Sequence, residues 1–170
     1  MAESITYRRA TLEDLPSICA LGQMLNRIHH HARPDIYAAA TPDIARDQAS
    51  WLPSLQDADR ATFIAERDGT AVGFITVHVA QPSISLFQPV KFARIGSVAV
   101  ADAQRDRGIG RALMRLAESW AREQGAADVR LAVWTFNDAA VHLYERLGYE
   151  VRALEMGKRI EPAPDGDGDA

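Results

Sequence analysis

The sequence of 170 residues has one cysteine, no long apolar run and no excess of positive charge. Cys19 on its own excludes an internal disulfide. No stretch approaches the roughly 20 apolar residues of a membrane span, or the apolar core of a signal peptide. The formal net charge of −4 offers no broad basic surface for nucleic acid. These absences predict a cytoplasmic protein that binds neither membranes nor nucleic acid, and they favour a small or cationic partner.

The composition, 47% hydrophobic and 25% charged, is that of one domain with a substantial core. No internal repeat or long linker divides it, so residues 1–160 are expected to form a single domain. Residues 161–170 contain only Glu, Pro, Ala, Asp and Gly, which predicts a disordered acidic tail.

Apolar spacing gives the element order β-α-α-β-β-β-α-β-α-β. The expected strands are 5–8, 62–66, 71–79, 92–100, 129–134 and 149–159, with a hairpin at Asp68-Gly69. The expected helices follow Thr11 to about 29–31, run from 41–42 to about 56, span 108–124, and begin after Asn137. We therefore expect an α/β (α+β) domain in which helices flank a mixed central sheet of about six strands.

The richest chemistry lies where strand 92–100 runs into a turn with two glycines and an amphipathic helix. Free N–H groups at a helix N-terminus converge on one spot, and glycine lets a phosphate approach the backbone. Arg105, Arg107 and Arg111 add positive charge. The pattern predicts a pyrophosphate cradle, and the alternative is a plain turn that starts a helix. It is neither a P-loop, because no Lys follows Gly110, nor a dinucleotide fingerprint, whose third glycine is replaced by Leu113.

Two motifs resemble the GCN5-related N-acetyltransferases (GNAT). Arg105-x-x-Gly108-x-Gly110 resembles the family's pyrophosphate loop after its fourth strand. The segment Asn137-x-x-Ala140-x-x-x-Tyr144-x-x-x-Gly148-Tyr149 resembles its second motif, with Tyr149 where Phe is commoner. The resemblance covers nearly the whole domain and implies a GNAT-like fold, acetyl-CoA as co-substrate and no metal.

The resemblance also implies roles for individual residues. Backbone groups of the strand would pair with the pantetheine arm, amides of residues 105–111 would hold the pyrophosphate, and the helix after Asn137 would line the arm's other side. The expected cofactor-binding set is Val98, Ala99, Val100, Arg105, Asp106, Arg107, Gly108, Ile109, Gly110, Arg111, Asn137, Ala140 and Tyr144.

Acetyl transfer needs an acid for the departing thiolate and a base for the amine. Helical spacing puts Tyr144 on one face with Asn137 and Ala140, so Tyr144 is the expected general acid, and a core tyrosine is the alternative. Strand 92–100 lacks the carboxylate that many relatives place there. The base is left open between a water relay and His78, Glu66 or Asp102.

The acceptor side is expected near His29-His30-His31, at the end of the first helix. Neighbouring helical residues point about 100° apart, so these three cannot share a metal ion. His29, His30, Asp35 and His78 are candidate substrate-binding residues, and Tyr37 and Asp43 could face a cationic amine. Solvated surface residues are the alternative.

The leading hypothesis is an acetyl-CoA-dependent N-acetyltransferase that moves an acetyl group directly to a primary amine of a small molecule or peptide. The alternative is a catalytically silent acyl-CoA-binding sensor module, and weaker still is another type of nucleotide-binding domain. The sequence decides neither the acceptor nor whether the chain is a monomer or a homodimer.

Overall fold

The computed structural model describes residues 4–160, which build a mixed five-stranded sheet in the order β1-β2-β3-β4-β5. The strands are β1 Ile5–Arg9, β2 Arg60–Arg67, β3 Thr70–Ala80, β4 Phe92–Val100 and β5 Asp128–Arg130. The first four are antiparallel neighbours, whereas β4 and β5 are parallel. Asp68 and Gly69 have positive φ angles of 51° and 75°, and they form the predicted tight turn between β2 and β3.

Within the described residues 4–160, five α-helices flank the sheet: α1 Leu15–Ala32, α2 Ala45–Trp51, α3 Pro53–Gln56, α4 Ile109–Glu123 and α5 Asp138–Arg146. The helix expected from 41–42 to 56 begins later and is divided at Pro53, since proline lacks the N–H that would continue it. Within residues 4–160, no helix has the length and apolarity needed to cross a bilayer.

The sheet is covered on both faces. The apolar stripe of α4 packs on one face, where its buried residues include Leu113, Met114, Ala117 and Trp120. On the other face, Ile18 and Leu21 of α1 pack against Phe74 and Ala99. Trp51 of α2 lies so close to α1 that a Cβ on Gly22 would stand 2.9 Å from its ring. The two helical layers therefore leave the ends of the sheet, rather than its faces, free for function.

A charged group holds the start of α1 to the sheet. Arg8 donates to both carboxylate oxygens of Asp14 at 2.8 Å and to Glu66 at 2.8 and 2.9 Å. The Thr11 N–H also donates to Asp14, at 2.8 Å. The Arg8 guanidinium lowers the pKa of Asp14 below its usual range. Glu66 is thus committed to an ion pair with Arg8.

The sixth expected strand does not form within the described residues. Residues 150–160, here called the C-terminal segment, are exposed and pair with no strand that the structure describes. A strand needs the free edge of a neighbour, and β5 pairs over only three residues before the chain turns into α5. The strand expected at 149–159 was therefore wrong, and β5 ends before the expected 134. The tail expected at 161–170 lies outside the described residues.

Candidate active site

The edge of β4 that faces β5 is open along its second half. β5 pairs only with Phe92–Arg94, so the two strands diverge beyond Arg94. The Ala101 N–H donates to Val72 O at 2.8 Å, toward β3. Hydrogen-bonding groups alternate in direction along a strand, so those of Ala99 also face β3, while those of Val98 and Val100 face the opening. The expected pairing edge at Val98 and Val100 is thus present, whereas Ala99 turns its backbone away.

A β-bulge marks the point of divergence. Gly96 and Ser97 both lie opposite Thr76, because the register shifts between Ile75 and Val77. The Ser97 N–H donates to Thr76 Oγ1 at 3.0 Å. A Cβ on Gly96 would stand 2.7 Å from the same hydroxyl oxygen, so a larger residue here would displace the Thr76 hydroxyl from Ser97. The bulge bends β4 where the gap to β5 opens.

The loop after β4 contains two residues with left-handed backbone conformations. Asp106 and Gly108 both have positive φ angles, 61° and 78°, on either side of Arg107. Such alternation turns successive N–H groups toward one point and makes an anion-binding nest. A Cβ on Gly108 would meet nothing within 4 Å, so the space in front of the loop is free. These conformations fit a pyrophosphate cradle, and the binding role of the loop stays a prediction.

The side chains of the loop and of the first turn of α4 divide into two groups. Arg105, Asp106, Arg107 and Arg111 are exposed, and Arg105 forms an ion pair with Asp102 at 2.7 Å. Ile109 is buried in the core under α4. Gly110 has a different role from Gly108, since a Cβ there would touch Leu143 of α5 at 3.4 Å. Gly110 lets α5 approach α4 closely.

α5 forms the opposite wall of the gap. The Asn137 side chain caps this helix by accepting the Ala140 N–H at 3.3 Å. Tyr144 is half-buried, its ring lies 5.9 Å from that of Tyr149, and burial raises the pKa of its hydroxyl. Among residues 4–160 no hydrogen-bond partner is recorded for this hydroxyl. A protonated, uncommitted hydroxyl is what a general acid requires.

Of the three candidate bases, only His78 is not held in an ion pair within the described part of the chain. Glu66 pairs with Arg8, and Asp102 pairs with Arg105. His78 lies on β3 two residues from Thr76, so both side chains project from the same face of the sheet. Burial, aided by the charge of Arg60, lowers the pKa of His78 and keeps the imidazole neutral at pH 7.

An open pocket of about 390 Å³ lies between α1 and the two loops that leave β4 and β5. Its lining includes Met24, Arg27, Ile28, His31, Asp102 and Phe136. Beside it is an aromatic cluster of His29, Tyr37, Trp134 and Phe136, whose ring centroids lie 4.8–6.0 Å apart. Trp134 and Phe136 were not predicted from the sequence, although two aromatic residues at the end of the expected strand 129–134 were a visible signal.

Hydrogen bonds fix the loop between α1 and α2 beside this pocket. His30 Nδ1 donates to Tyr37 O at 2.7 Å, and the buried Gln23 accepts the Thr41 N–H at 2.7 Å while it donates to Asp47. His29 Nδ1 donates to Leu25 O within α1 at 2.7 Å. The expected histidines thus shape the loop, and no metal-binding group of side chains occurs within residues 4–160.

The expected anionic residue of this loop, Asp35, is not free. It forms ion pairs with Arg33 at 2.8 Å and with Arg159 at 3.1 Å. The hydrogen bond from Arg33 lowers the pKa of Asp35 to about 2. Asp35 therefore stays ionised at neutral pH, and a cationic acceptor would share it with two arginines.

Comparison with known proteins decides the family. A sequence profile described as the acetyltransferase (GNAT) family matches residues 24–149, which include the loop, the open edge and α5. The chain belongs to the GNAT family. This confirms the resemblance, and the mixed sheet confirms the expected fold with five described strands rather than about six.

Several GNAT relatives show the range of the family. A streptothricin acetyltransferase of Streptomyces lavendulae is 35% identical over 66% of this chain and 56% of its own length. An N-alpha-acetyltransferase of Sulfurisphaera tokodaii is 35% identical over 61% of this chain and 65% of its own. An uncharacterised N-acetyltransferase of Methanocaldococcus jannaschii is 34% identical over 94% and 69%. The chain thus spans about three fifths of the first two relatives.

Solved structures share the same GNAT fold. A variant of a Bacillus halodurans protein has a TM-score of 0.81 at 22% identity, over 92% of this chain and 99% of that one. An aminoglycoside N-acetyltransferase in complex with CoA has a TM-score of 0.74 at 19% identity, over 94% and 98%. At these identities the likeness concerns the fold alone.

Proposed function

We propose that this GNAT protein is an acetyl-CoA-dependent N-acetyltransferase that acts on a primary amine of a small molecule or peptide. The observation that carries the proposal is that the open edge of β4 and the loop with left-handed residues follow each other along the chain. The open edge of β4 at Val98 and Val100 leads directly into the loop, in which Asp106 and Gly108 have the left-handed conformations that turn N–H groups toward one side. An extended arm that ends in a pyrophosphate would pair with the edge and reach the loop that follows it.

Acetyl-CoA would supply the activated acetyl group as a thioester. In the proposed arrangement Val98 and Val100 offer N–H and C=O groups to its arm, as a neighbouring strand would. A backbone N–H of this edge, fixed beside the bulge, stabilises negative charge on the thioester oxygen as the amine attacks. The loop amides and the exposed Arg105 and Arg107 hold the pyrophosphate.

Tyr144 is proposed to protonate the departing thiolate. Its raised pKa keeps the hydroxyl protonated at neutral pH, and it follows Leu143, the residue of α5 that lies closest to Gly110. The thiol of coenzyme A resembles that of Cys, whose ordinary pKa is about 8.5, so proton donation to its thiolate is favourable at pH 7.

His78 is proposed as the base, directly or through a bound water. An amine acceptor with a pKa near that of Lys, about 10.4, arrives protonated and must lose its proton before attack. The neutral imidazole of His78 can accept that proton, while Glu66 and Asp102 are each bound to an arginine. His78 lies on β3, the strand that pairs with β4, and it stands opposite Arg94.

The acceptor is proposed to enter over the aromatic cluster and the loop at Asp35. The aromatic faces attract a cation, which favours a cationic amine over an anionic one, whereas Asp35 already pairs with Arg33 and Arg159. The acetyltransferases named for streptothricin and for N-alpha groups support a small-molecule or peptide amine respectively. His29 and His30 would act by holding Tyr37 and its loop beside the acceptor.

The test is release of free thiol from acetyl-CoA over a panel of small amines and peptides. Turnover with cationic amines, lost in Tyr144→Phe while CoA still binds, would support the enzyme. Binding of acetyl-CoA with no thiol release for any amine would instead favour the silent acyl-CoA-binding module. A chain that does not bind CoA would refute both.

A further inference from the structure

Four basic side chains form a row across one end of the sheet. The strand register places each directly opposite the next on β2, β3, β4 and β5, and this basic row consists of Arg60, His78, Arg94 and Arg130. Side chains directly opposite each other have Cβ atoms about 4.5–5.5 Å apart, and like charges there destabilise a sheet. The chain as a whole has a net charge of −4, so the basic row runs against the overall balance of charge. A bound anion would relieve the repulsion within it.

The basic row lies on the face of the sheet that α1 covers only in part. Ala93 and Ile95, on either side of Arg94, are buried in the core under α4. Side chains alternate between the two faces along a strand, so Arg94 and its directly opposite partners project from the other face. There α1 packs at Ala99, five residues further along β4. Arg94 is exposed and His78 is half-buried, so a small molecule can reach both.

Carboxylates neutralise two of the three arginines of the basic row. Arg60 forms an ion pair with Asp57 at 3.1 Å, and Arg130 forms one with Asp128 at 2.8 Å. Within residues 4–160, no carboxylate lies within ion-pair distance of Arg94, and its guanidinium donates to no other residue. Its five N–H donors are therefore available to a ligand.

Arg94 lies close to the place where acetyl transfer is proposed to occur. It precedes Gly96 of the bulge by two residues and Val98 of the open edge by four, a distance of about 13 Å along a strand. Gly96 shares the face of Arg94 and has no side chain, so β4 places nothing between Arg94 and the bulge. His78, the proposed base, stands directly opposite Arg94. A group held by Arg94 would thus lie beside the amine that His78 deprotonates.

We propose that the acceptor is a free amino acid, whose carboxylate binds the guanidinium of Arg94 while its amine faces His78 and the thioester. The inference rests on the proposed function and narrows its small-molecule acceptor. One carbon separates the amine from the carboxylate of an amino acid, which matches the direct opposition of His78 and Arg94. A guanidinium holds a carboxylate through two parallel hydrogen bonds. The amino acid keeps the cationic amine that the aromatic cluster favours, and its carboxylate supplies the anion that the basic row lacks.

The protons of the reaction balance with the groups already assigned. His78 takes the first proton of the ammonium group and passes it to solvent. The N–C bond then forms and the C–S bond breaks, while Tyr144 protonates the departing thiolate. The second proton, lost from nitrogen as the amide forms, restores the Tyr144 hydroxyl. Arg94 takes no part in proton transfer and acts by binding the carboxylate.

The first test compares acceptors by release of free thiol from acetyl-CoA. The twenty amino acids are assayed, and each good acceptor is then compared with its carboxamide and with the amine left after removal of the carboxylate. The amines of these compounds differ in pKa, so each compound is measured with the wild type and with Arg94→Gln, and the ratio of the two KM values is used. Intrinsic amine reactivity cancels in that ratio.

Arg94→Gln is expected to raise KM for the amino acid roughly 10- to 100-fold, the loss expected for a hydrogen-bonded ion pair, with little change in kcat. KM for the carboxamide and for the decarboxylated amine should stay within about twofold of the wild type, since neither offers a carboxylate. Arg94→Lys should recover part of the loss, because it keeps the charge but not the two parallel hydrogen bonds. An equal rise of KM for all three compounds, or none for the amino acid, would overturn the proposal.

Arg115→Gln is the matched control. It removes another exposed arginine, on α4 at the opposite face of the sheet, and is expected to leave all KM values unchanged. Urea unfolding checks for a structural role of Arg94. Because Arg94→Gln removes a like charge from the basic row, the variant should be at least as stable as the wild type. A destabilised Arg94→Gln variant, or the same rise of KM in Arg115→Gln, would count against a binding role.

A binding measurement separates this inference from the proposed function. Amino acids are titrated by calorimetry into the full-length chain saturated with CoA, and the same titration is made with Arg94→Gln. Absence of thiol release with every amine would refute the proposed activity, whereas binding of an amino acid that is lost in Arg94→Gln would still support the site. An amino acid that binds both proteins equally, no binding of any amino acid, or a weakened affinity of Arg94→Gln for CoA itself would overturn the assignment of Arg94.

Discussion

Replacement of Gly108 by alanine tests the pyrophosphate cradle most directly. Gly108 has φ +78°, a conformation that costs an L-residue about 1–2 kcal/mol. The added Cβ meets no protein atom within 4 Å, so a loss of CoA affinity would come from its effect on the ligand at this loop and not from a clash within the protein. The variant should therefore fold, with a modest loss of stability, and bind CoA poorly.

The expected loss of CoA affinity follows from one displaced contact. A hydrogen bond to a charged group contributes about 1.5–3 kcal/mol. Removing one N–H contact to the pyrophosphate should thus raise the Kd of CoA by roughly 10- to 100-fold. Gly110 is a less suitable position, because its Cβ would contact Leu143 and disturb the packing of α4 against α5.

Gly125→Ala is the matched control for backbone strain. Gly125 has the same φ of +78° and an equally empty surrounding, but it lies at the other end of α4. Both variants should lose about 1–2 kcal/mol in urea unfolding, and only Gly108→Ala should lose affinity in calorimetric titration with CoA. Unchanged CoA affinity in folded Gly108→Ala, or an equal loss in Gly125→Ala, would refute the cradle.

Four further changes test the remaining assignments. Tyr144→Phe should lower kcat by about 10²–10⁴-fold with unchanged CoA affinity, and wild-type turnover would contradict the acid role. His78→Gln should lower kcat/KM and remove the acid limb of the pH profile, which should lie below pH about 6.5 because the pKa of His78 is lowered. Asp35→Asn should raise KM for a cationic amine and reduce its dependence on ionic strength; a KM insensitive to salt in the wild type would contradict this. Asp14→Asn should lose about 1–3 kcal/mol of unfolding free energy at pH 7. Because the pKa of Asp14 is lowered by Arg8, that loss should shrink as pH falls below about 3.9 and through the folded-state pKa, measured by urea titration at several pH values.

Features that depend on residues close together in the sequence were predicted correctly. The apolar stripe of α4, the Asp68-Gly69 turn and the cap at Asn137 each follow from residues close in sequence, and each was found. The two motifs also identified the loop and α5 as neighbours, since the family profile spans both. The two segments of the candidate cofactor site were therefore located from the sequence, and the cofactor contacts of their residues stay predictions.

Contacts between distant residues were not predictable in the same way. The ion pair of Asp35 with Arg159 and the packing of His29 on Phe136 join parts of the chain that no local pattern relates. The missing sixth strand has the same origin. Residues 149–159 contain β-prone residues, but a strand also requires a free neighbouring edge, and sequence propensity does not supply one.

The way Gln23 and His30 hold the loop after α1 has a consequence for engineering. Between the anchored positions Tyr37 and Thr41 the chain carries three alanines, residues 38–40, of which the first two are exposed. Surface substitutions away from such anchors usually change stability by less than about 0.5 kcal/mol. A combinatorial library at 38–40 can therefore sample new acceptor preferences while the scaffold stays intact, and selection would act on recognition without first having to repair folding.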